Sequence, residues 1–153
     1  MTTDRQFSRR QVVALFALAP FSPRLLQVAT APTPITVYKD PNCGCCTKWV
    51  AHMRAAGFAV TVHDMTDMTT VKRSMGVPAA LESCHTARVG RYTIEGHVPA
   101  DLITKLLADQ PAARGLAVPG MVTGSPGMEG DRKDPYEVLL FDAAGTTRVY
   151  ARR

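Results

Sequence analysis

The chain has 153 residues, a formal charge of +5 and four cysteines, which suits one domain with a sizeable core and supplies too few thiols for a disulfide-dense scaffold. Arg5, Arg9, Arg10 and Arg24 against Asp4 put +3 of that charge in the first 31 residues and leave 14 basic and 12 acidic groups, a balance of +2, on the remainder. So even a distribution argues against a phosphate-binding surface, and nucleic acid is not an expected partner.

Residues 1–31 read as an address. Ser8-Arg9-Arg10-Gln11 precedes an apolar run over 12–21, then Pro23 and Arg24, then Ala29-Thr30-Ala31, the order of a charged region, a short hydrophobic region and a small-residue cleavage site. The apolar run is about half the roughly 20 residues that a spanning helix needs, so no permanent membrane span is expected. The arginine pair resembles the bacterial twin-arginine signal, although Val12 and Val13 stand where that motif favours Phe and Leu, and Pro32 follows the expected cut. The expectation is a signal peptide for twin-arginine translocation and an oxidising, periplasmic location, with 32–153 as the folded domain.

After a Pro-rich linker, residues 35–38 alternate as a strand, and Lys39-Asp40-Pro41-Asn42 breaks it. Cys46, Trp49, Val50 and Met53 then recur at three- and four-residue spacing, predicting a buried helix face that Gly57 ends. Residues 58–63 predict a second strand, 68–75 a short helix stopped by Gly76-Val77-Pro78, and 79–90 an irregular stretch carrying Cys84 and His85. A hairpin is expected over 87–98 and a helix over 100–108. Residues 115–134 have no periodicity and are rich in Gly and Pro; a loop this long in a small domain is functional or disordered. A last hairpin is expected over 136–151, turning at Asp142-Ala143-Ala144-Gly145. The element order predicts an α/β, thioredoxin-like single domain with a C-terminal β-hairpin and a long Gly/Pro/Met loop.

Cys43-Gly44-Cys45-Cys46 sits at the first strand-to-helix junction. Side chains on successive helix residues point about 100° apart, so three thiols in four residues cannot all enter a core. A helix N-terminus favours the thiolate. Cys43 and Cys46 have the spacing of a disulfide-exchange pair, nucleophile and resolving thiol, and this remains one reading. Cys45 weighs against it, since a clean dithiol gains nothing from a third competing thiol. A polynuclear site gains from every added thiolate, and such ligands select Cu(I), Zn(II) or iron–sulfur clusters. Cys84 is the natural fourth ligand, because in a thioredoxin-like fold the segment entering the third strand faces the first helix's N-terminus; the alternative is a small buried residue. A structural zinc site from the same cysteines is a third reading, although such sites draw ligand pairs from two separated knuckles.

Other candidates are weaker. His85 is either a ligand or a loop hydrogen-bonder, and Met121 and Met128 either offer thioethers to Cu(I) from the loop or, the favoured reading, fill gaps over a core. His97 is expected to be structural and Trp49 to be core. His52 stands about 10 Å beyond Cys45 along the helix, and His63, Met65 and Met68 read as a surface loop.

Several motifs together carry a resemblance. Tyr38-Lys39-Asp40-Pro41 before the cysteines, Ser83-Cys84-His85-Thr86-Ala87, Glu95-Gly96-His97-Val98-Pro99, Gly115-Leu116-Ala117-Val118-Pro119-Gly120-Met121 and Gly124-Ser125-Pro126-Gly127-Met128 resemble the CopG family of exported bacterial copper-resistance proteins, over residues 35–150. The resemblance implies a thioredoxin-like fold in which the Cys-x-Cys-Cys motif and one further cysteine hold a multinuclear Cu(I)-thiolate cluster that can change redox state. Carried over, the copper ligands are Cys43, Cys45, Cys46 and Cys84, and the partners are copper ions and other periplasmic copper-handling proteins. Whether the protein works as a copper oxidoreductase is left open.

Overall fold

The computed structural model describes residues 31–153; apart from Ala31, the export signal read at 1–31 lies outside the described residues. The elements are β1 (Pro34–Lys39), α1 (Gly44–Ala55), β2 (Ala59–Asp64), α2 (Met68–Ser74), β3 (His85–Val89), β4 (Tyr92–Glu95), α3 (Ala100–Asp109), β5 (Gly115–Ala117), β6 (Glu137–Phe141) and β7 (Thr147–Arg152), with a 3-10 turn at Ala79–Leu81. They build one seven-stranded sheet in the order β2-β1-β3-β4-β5-β6-β7. β1 runs parallel to β2 and antiparallel to β3, and β3 runs antiparallel to β4. With the three helices this is the expected thioredoxin-like arrangement, extended by the expected C-terminal hairpin β6–β7.

Two features depart from the sequence reading. Residues 115–117 form a short strand, parallel to β4 and antiparallel to β6, where an aperiodic loop was expected; three residues, one of them glycine, are too few to display a two-residue period. Gly115 is required there, since a Cβ would come within 1.7 Å of Thr93 O. His85 is the first residue of β3 and not part of an irregular stretch.

Alternation along the strands sorts side chains to two faces. Ile35 and Val37 of β1, Ala87 and Val89 of β3, Ile94 of β4 and Leu116 of β5 join Trp49, Val50 and Met53 of α1 and Leu102, Ile103 and Leu106 of α3 in the main core. A fully buried aliphatic or aromatic side chain in such a core contributes about 1.5–3 kcal/mol. Ala117 and Phe141 belong to a second, smaller cluster with Val77 and Leu81. α3 has Pro99 as its N-cap with no side-chain cap of its own. His52 of α1 supplies the missing acceptor, its Nε2 receiving the Ala100 N–H at 3.2 Å, which satisfies an otherwise orphaned donor.

Candidate metal centre

The turn after β1 sets up the thiols. Asn42 N–H donates to Asp40 Oδ1 at 2.7 Å and Cys43 N–H to Asp40 O at 3.1 Å, a side-chain-assisted turn of the kind aspartate and proline favour. Cys43 thereby becomes the N-cap of α1, without a side-chain capping bond, and Gly44, Cys45 and Cys46 form its first turn. Cys43 and Cys46, three apart, share a helix face and are joined by a disulfide with Cα atoms 5.3 Å apart. Cys45 and Cys84 are free thiols. Cys45 Sγ is 3.4 Å from Cys43 Sγ.

Cys84 arrives from across the sheet. Because Lys39 pairs with His85, the residue before β3 is held over the start of α1. Cys84 Sγ is 3.7 Å from Cys45 Sγ, and Cys46 Sγ lies 3.7 Å from Cys84 O. The sulfurs of Cys43, Cys45, Cys46 and Cys84 all lie within 4.8 Å of one another. Burial and the neighbouring Cys45 push the Cys84 thiol up to about 12, so without metal it keeps its proton at neutral pH.

A buried carboxylate fixes this segment from behind. Glu95 Oε1 accepts the Ser83 N–H at 2.6 Å and the Lys72 ammonium at 2.5 Å, while Glu95 Oε2 accepts the Thr86 hydroxyl at 2.6 Å. One carboxylate thus grips the residues on either side of Cys84-His85. Thr86 and Glu95 pair across β3 and β4 and point to the α2 face. Burial raises the Glu95 carboxyl above its ordinary range, with Lys72, Thr86 and the Ser83 amide acting in the opposite direction.

Two histidines stand beside the thiols, both fully buried. His85 Nδ1 is 3.5 Å from Cys84 Sγ, its ring lies 4.4 Å from that of Trp49, and its Nε2 has no hydrogen-bond partner. His97 Nε2 is 2.9 Å from Cys84 Sγ, and its Nδ1 is 2.7 Å from Pro126 O. Burial lowers both rings below the ordinary histidine range, His85 well below it; the nearby Lys72 ammonium adds to the His85 shift, and the Pro126 carbonyl and Glu129 act against that of His97. Neutral imidazole is the metal-ligating form. Cys84, His85 and His97 make a second group with ligand atoms within 4.8 Å of one another.

His97 is expected from the sequence to be structural; the structure brings its Nε2 to 2.9 Å from Cys84 Sγ, a contact the sequence did not announce. The signal available in the sequence was Gly96, whose φ of +69° lets the chain turn sharply after β4 and swing the next side chain inward. A Cβ at Gly96 would meet Val118 O at 2.5 Å. His52 and His63 belong to neither group; His63 stacks on Tyr38 at 5.3 Å. Trp49 is core, as expected, with its indole N–H donating to Val98 O at 2.9 Å.

The long Gly/Pro/Met loop closes over the centre. It is bonded within itself, Gly124 N–H to Met128 O at 2.8 Å and Met128 N–H to Ser125 O at 2.8 Å. The Ser83 hydroxyl, next to Cys84, donates to Gly120 O. Gly127, at φ +89°, packs so closely on α1 that a Cβ would lie 2.7 Å from Cys45 O and 2.9 Å from Trp49 N. Met121 is 60% exposed and Met128 is half-buried.

The donor set fits a soft metal. Once the Cys43–Cys46 disulfide is reduced, four converging thiolates suit Cu(I) or Zn(II), and an unpartnered, buried imidazole nitrogen next to them is a group that burial without a partner would penalise. Fold and site together define a thioredoxin-like domain whose first strand-to-helix junction carries a thiol cluster able to hold metal. A family model described as a protein of unknown function, DUF411, matches residues 81–128, the segment holding Cys84, His85, His97 and Gly127. Two solved structures described as copper resistance protein copG, form 1 and form 2, superpose with a TM-score of 0.76 at 47% identity, covering 80% of this chain and 98% of theirs. The chain belongs to this copper-resistance family. No curated protein matches it significantly. Among the described residues no helix is long and apolar enough to cross a membrane.

Proposed function

We propose that this protein is exported, by the twin-arginine route, to the periplasm and there binds copper in copper resistance, holding a multinuclear Cu(I)-thiolate cluster on Cys43, Cys45, Cys46 and Cys84. The observation that carries the reading is the convergence of four sulfurs, three from one helix start and one from the opposite side, within 4.8 Å. At that spacing one sulfur can bridge two ions, and thiolate ligation favours Cu(I). Bound copper is the cargo, and the chemistry it brings is one-electron change between its two common states. The chain's own residues bind and shield it: the Glu95 carboxylate holds the Cys84 segment, Trp49 backs the His85 ring, and Pro126-Gly127 covers Cys45. The test is the metal content and oxidation state of protein isolated from the periplasm of copper-grown cells. Several Cu(I) per chain supports the reading, and protein that is copper-free or found in the cytoplasm contradicts it.

A second reading, thiol–disulfide exchange through Cys43 and Cys46, is favoured by one observation, the disulfide joining them at a helix N-terminus. It requires a Cys46→Ser variant to accumulate mixed disulfides through Cys43. Absence of such adducts removes it.

A further inference from the structure

The Cys43–Cys46 disulfide and the four-thiol pocket use the same sulfur atoms, so the two states exclude one another. With the disulfide closed, Cys45 and Cys84 are the free thiols, and two sulfurs 3.7 Å apart make a pair and not a cage. Cys84 also belongs to the second group, with His85 and His97, which the disulfide leaves untouched. That group is held in place independently of the thiol state: His97 by its bond to Pro126 O, Cys84 and His85 by the Glu95 grip on Ser83 and Thr86. One thiolate with two imidazoles is a ligand set that copper accepts in its Cu(II) state, and a tetrathiolate pocket is one that favours Cu(I).

We propose, resting on the copper-binding reading, that the Cys43–Cys46 disulfide sets the capacity of the centre: closed, the protein holds one copper ion at Cys84, His85 and His97; open, it holds several on four thiolates. Opening needs two electrons from a dithiol reductant. Cys46 is fully buried and Cys43 half-buried, so the reductant's thiolate attacks Cys43 Sγ. The Cys43–Cys46 bond breaks, Cys46 leaves as a thiolate, and a mixed disulfide forms on Cys43. The reductant's second thiolate then attacks its own sulfur in that mixed disulfide and releases Cys43 as a thiolate. The reductant departs as a disulfide, and the two freed sulfurs take copper or protons. Closing by a disulfide oxidant reverses these steps and expels the ions the two sulfurs held.

The experiment compares metal-free full-length protein in two states defined by thiol counting after denaturation, two free thiols in the closed form and four in the open form. The open form, titrated anaerobically with Cu(I), should bind more than one ion per chain. The closed form, given Cu(II), should bind one and show a visible thiolate-to-copper charge-transfer band, with its two thiols still countable once copper is removed. In the closed form Cys45→Ser should keep that band, whereas Cys84→Ser and His97→Gln should each abolish it or shift it. Far-ultraviolet circular dichroism matching the wild type shows that a variant is folded. Equal capacity in the two forms, an empty closed form beside a loaded open form, oxidation of Cys45 and Cys84 by the added Cu(II), or a band that needs Cys45 would each overturn the inference while leaving the copper reading intact. Failure of both forms to bind copper would overturn both.

Discussion

The Sγ of Cys84 lies 2.9 Å from Nε2 of His97, whose Nδ1 is 2.7 Å from the carbonyl of Pro126. A carbonyl can only accept, so Nδ1 carries the proton and Nε2 presents a lone pair to Cys84. The long loop thus fixes the tautomer of the histidine it packs on, as second-sphere carbonyls do for metal-ligating imidazoles. Long-range proton–nitrogen correlation spectra of the metal-free protein should show His97 neutral and protonated at Nδ1. A His97 protonated at Nε2 would contradict this arrangement.

The buried pair of Lys72 and Glu95, with side chains 5% and 0% exposed, predicts a large penalty when one partner is removed. Lys72→Met leaves the Glu95 carboxylate without a countercharge and should destabilise the domain by about 3–5 kcal/mol, read from urea unfolding. Adding Glu95→Leu removes the stranded charge and should recover much of that loss. It cannot restore the acceptor for Ser83 N–H, so the double variant should regain stability without regaining wild-type copper retention. Recovery of both would show that Glu95 does not position Cys84.

Gly127 and Gly57 share a φ of +89° and differ in surroundings. Gly57→Ala meets open space and should cost only the backbone term of about 1–2 kcal/mol, with copper binding unchanged. Gly127→Ala pays the same term and also drives a methyl into Cys45 O and Trp49 N, so its loss should be larger, and copper should leave the variant faster. Unfolding midpoints and copper transfer to a chelator measure the two effects. Equal behaviour of both variants would contradict the close approach of the loop to Cys45.

α2 carries Lys72 to the Glu95 grip, and its start depends on Asp67. The carboxylate accepts the Thr70 amide at 3.0 Å and the Thr70 hydroxyl at 2.6 Å, and the hydroxyl bond, with the amide next, holds Asp67 below its ordinary range. A depressed carboxyl stabilises the fold above its unfolded value, and that stabilisation is lost as pH falls through the folded value. The stability difference between wild type and Asp67→Asn should therefore be constant near neutrality and shrink as pH drops below about 4. A difference that persists unchanged to low pH would mean that Asp67 is not an anionic cap.

The readable and unreadable parts of the sequence divide along physical lines. Cys43, Cys45 and Cys46 declared themselves because three thiols in one turn have no packing explanation, and Cys84 followed from where a thioredoxin-like topology puts the entry to its third strand. α1 and α3 were legible because long amphipathic helices repeat their pattern several times. β5 was not, since Gly115-Leu116-Ala117 is too short to show a period and takes its partners from strands about 20 residues away on either side. The contact of His97 with Cys84 was not legible, because strand alternation ends at Glu95 and the turn at Gly96 resets the direction of the next side chain. His52, a polar residue on a helix face, gave no sign that it would receive the first amide of α3, because that contact joins residues 48 apart.

The account turns on Cys45, the thiol that a simple disulfide switch would not need. The most direct test is anaerobic Cu(I) titration of the fully reduced protein beside Cys45→Ser, with bound copper counted after removal of weakly held ions. The account predicts more than one Cu(I) per wild-type chain and a clear loss of capacity in the variant. A wild-type chain that binds no copper, or a Cys45→Ser variant that binds as much as the wild type, would contradict it.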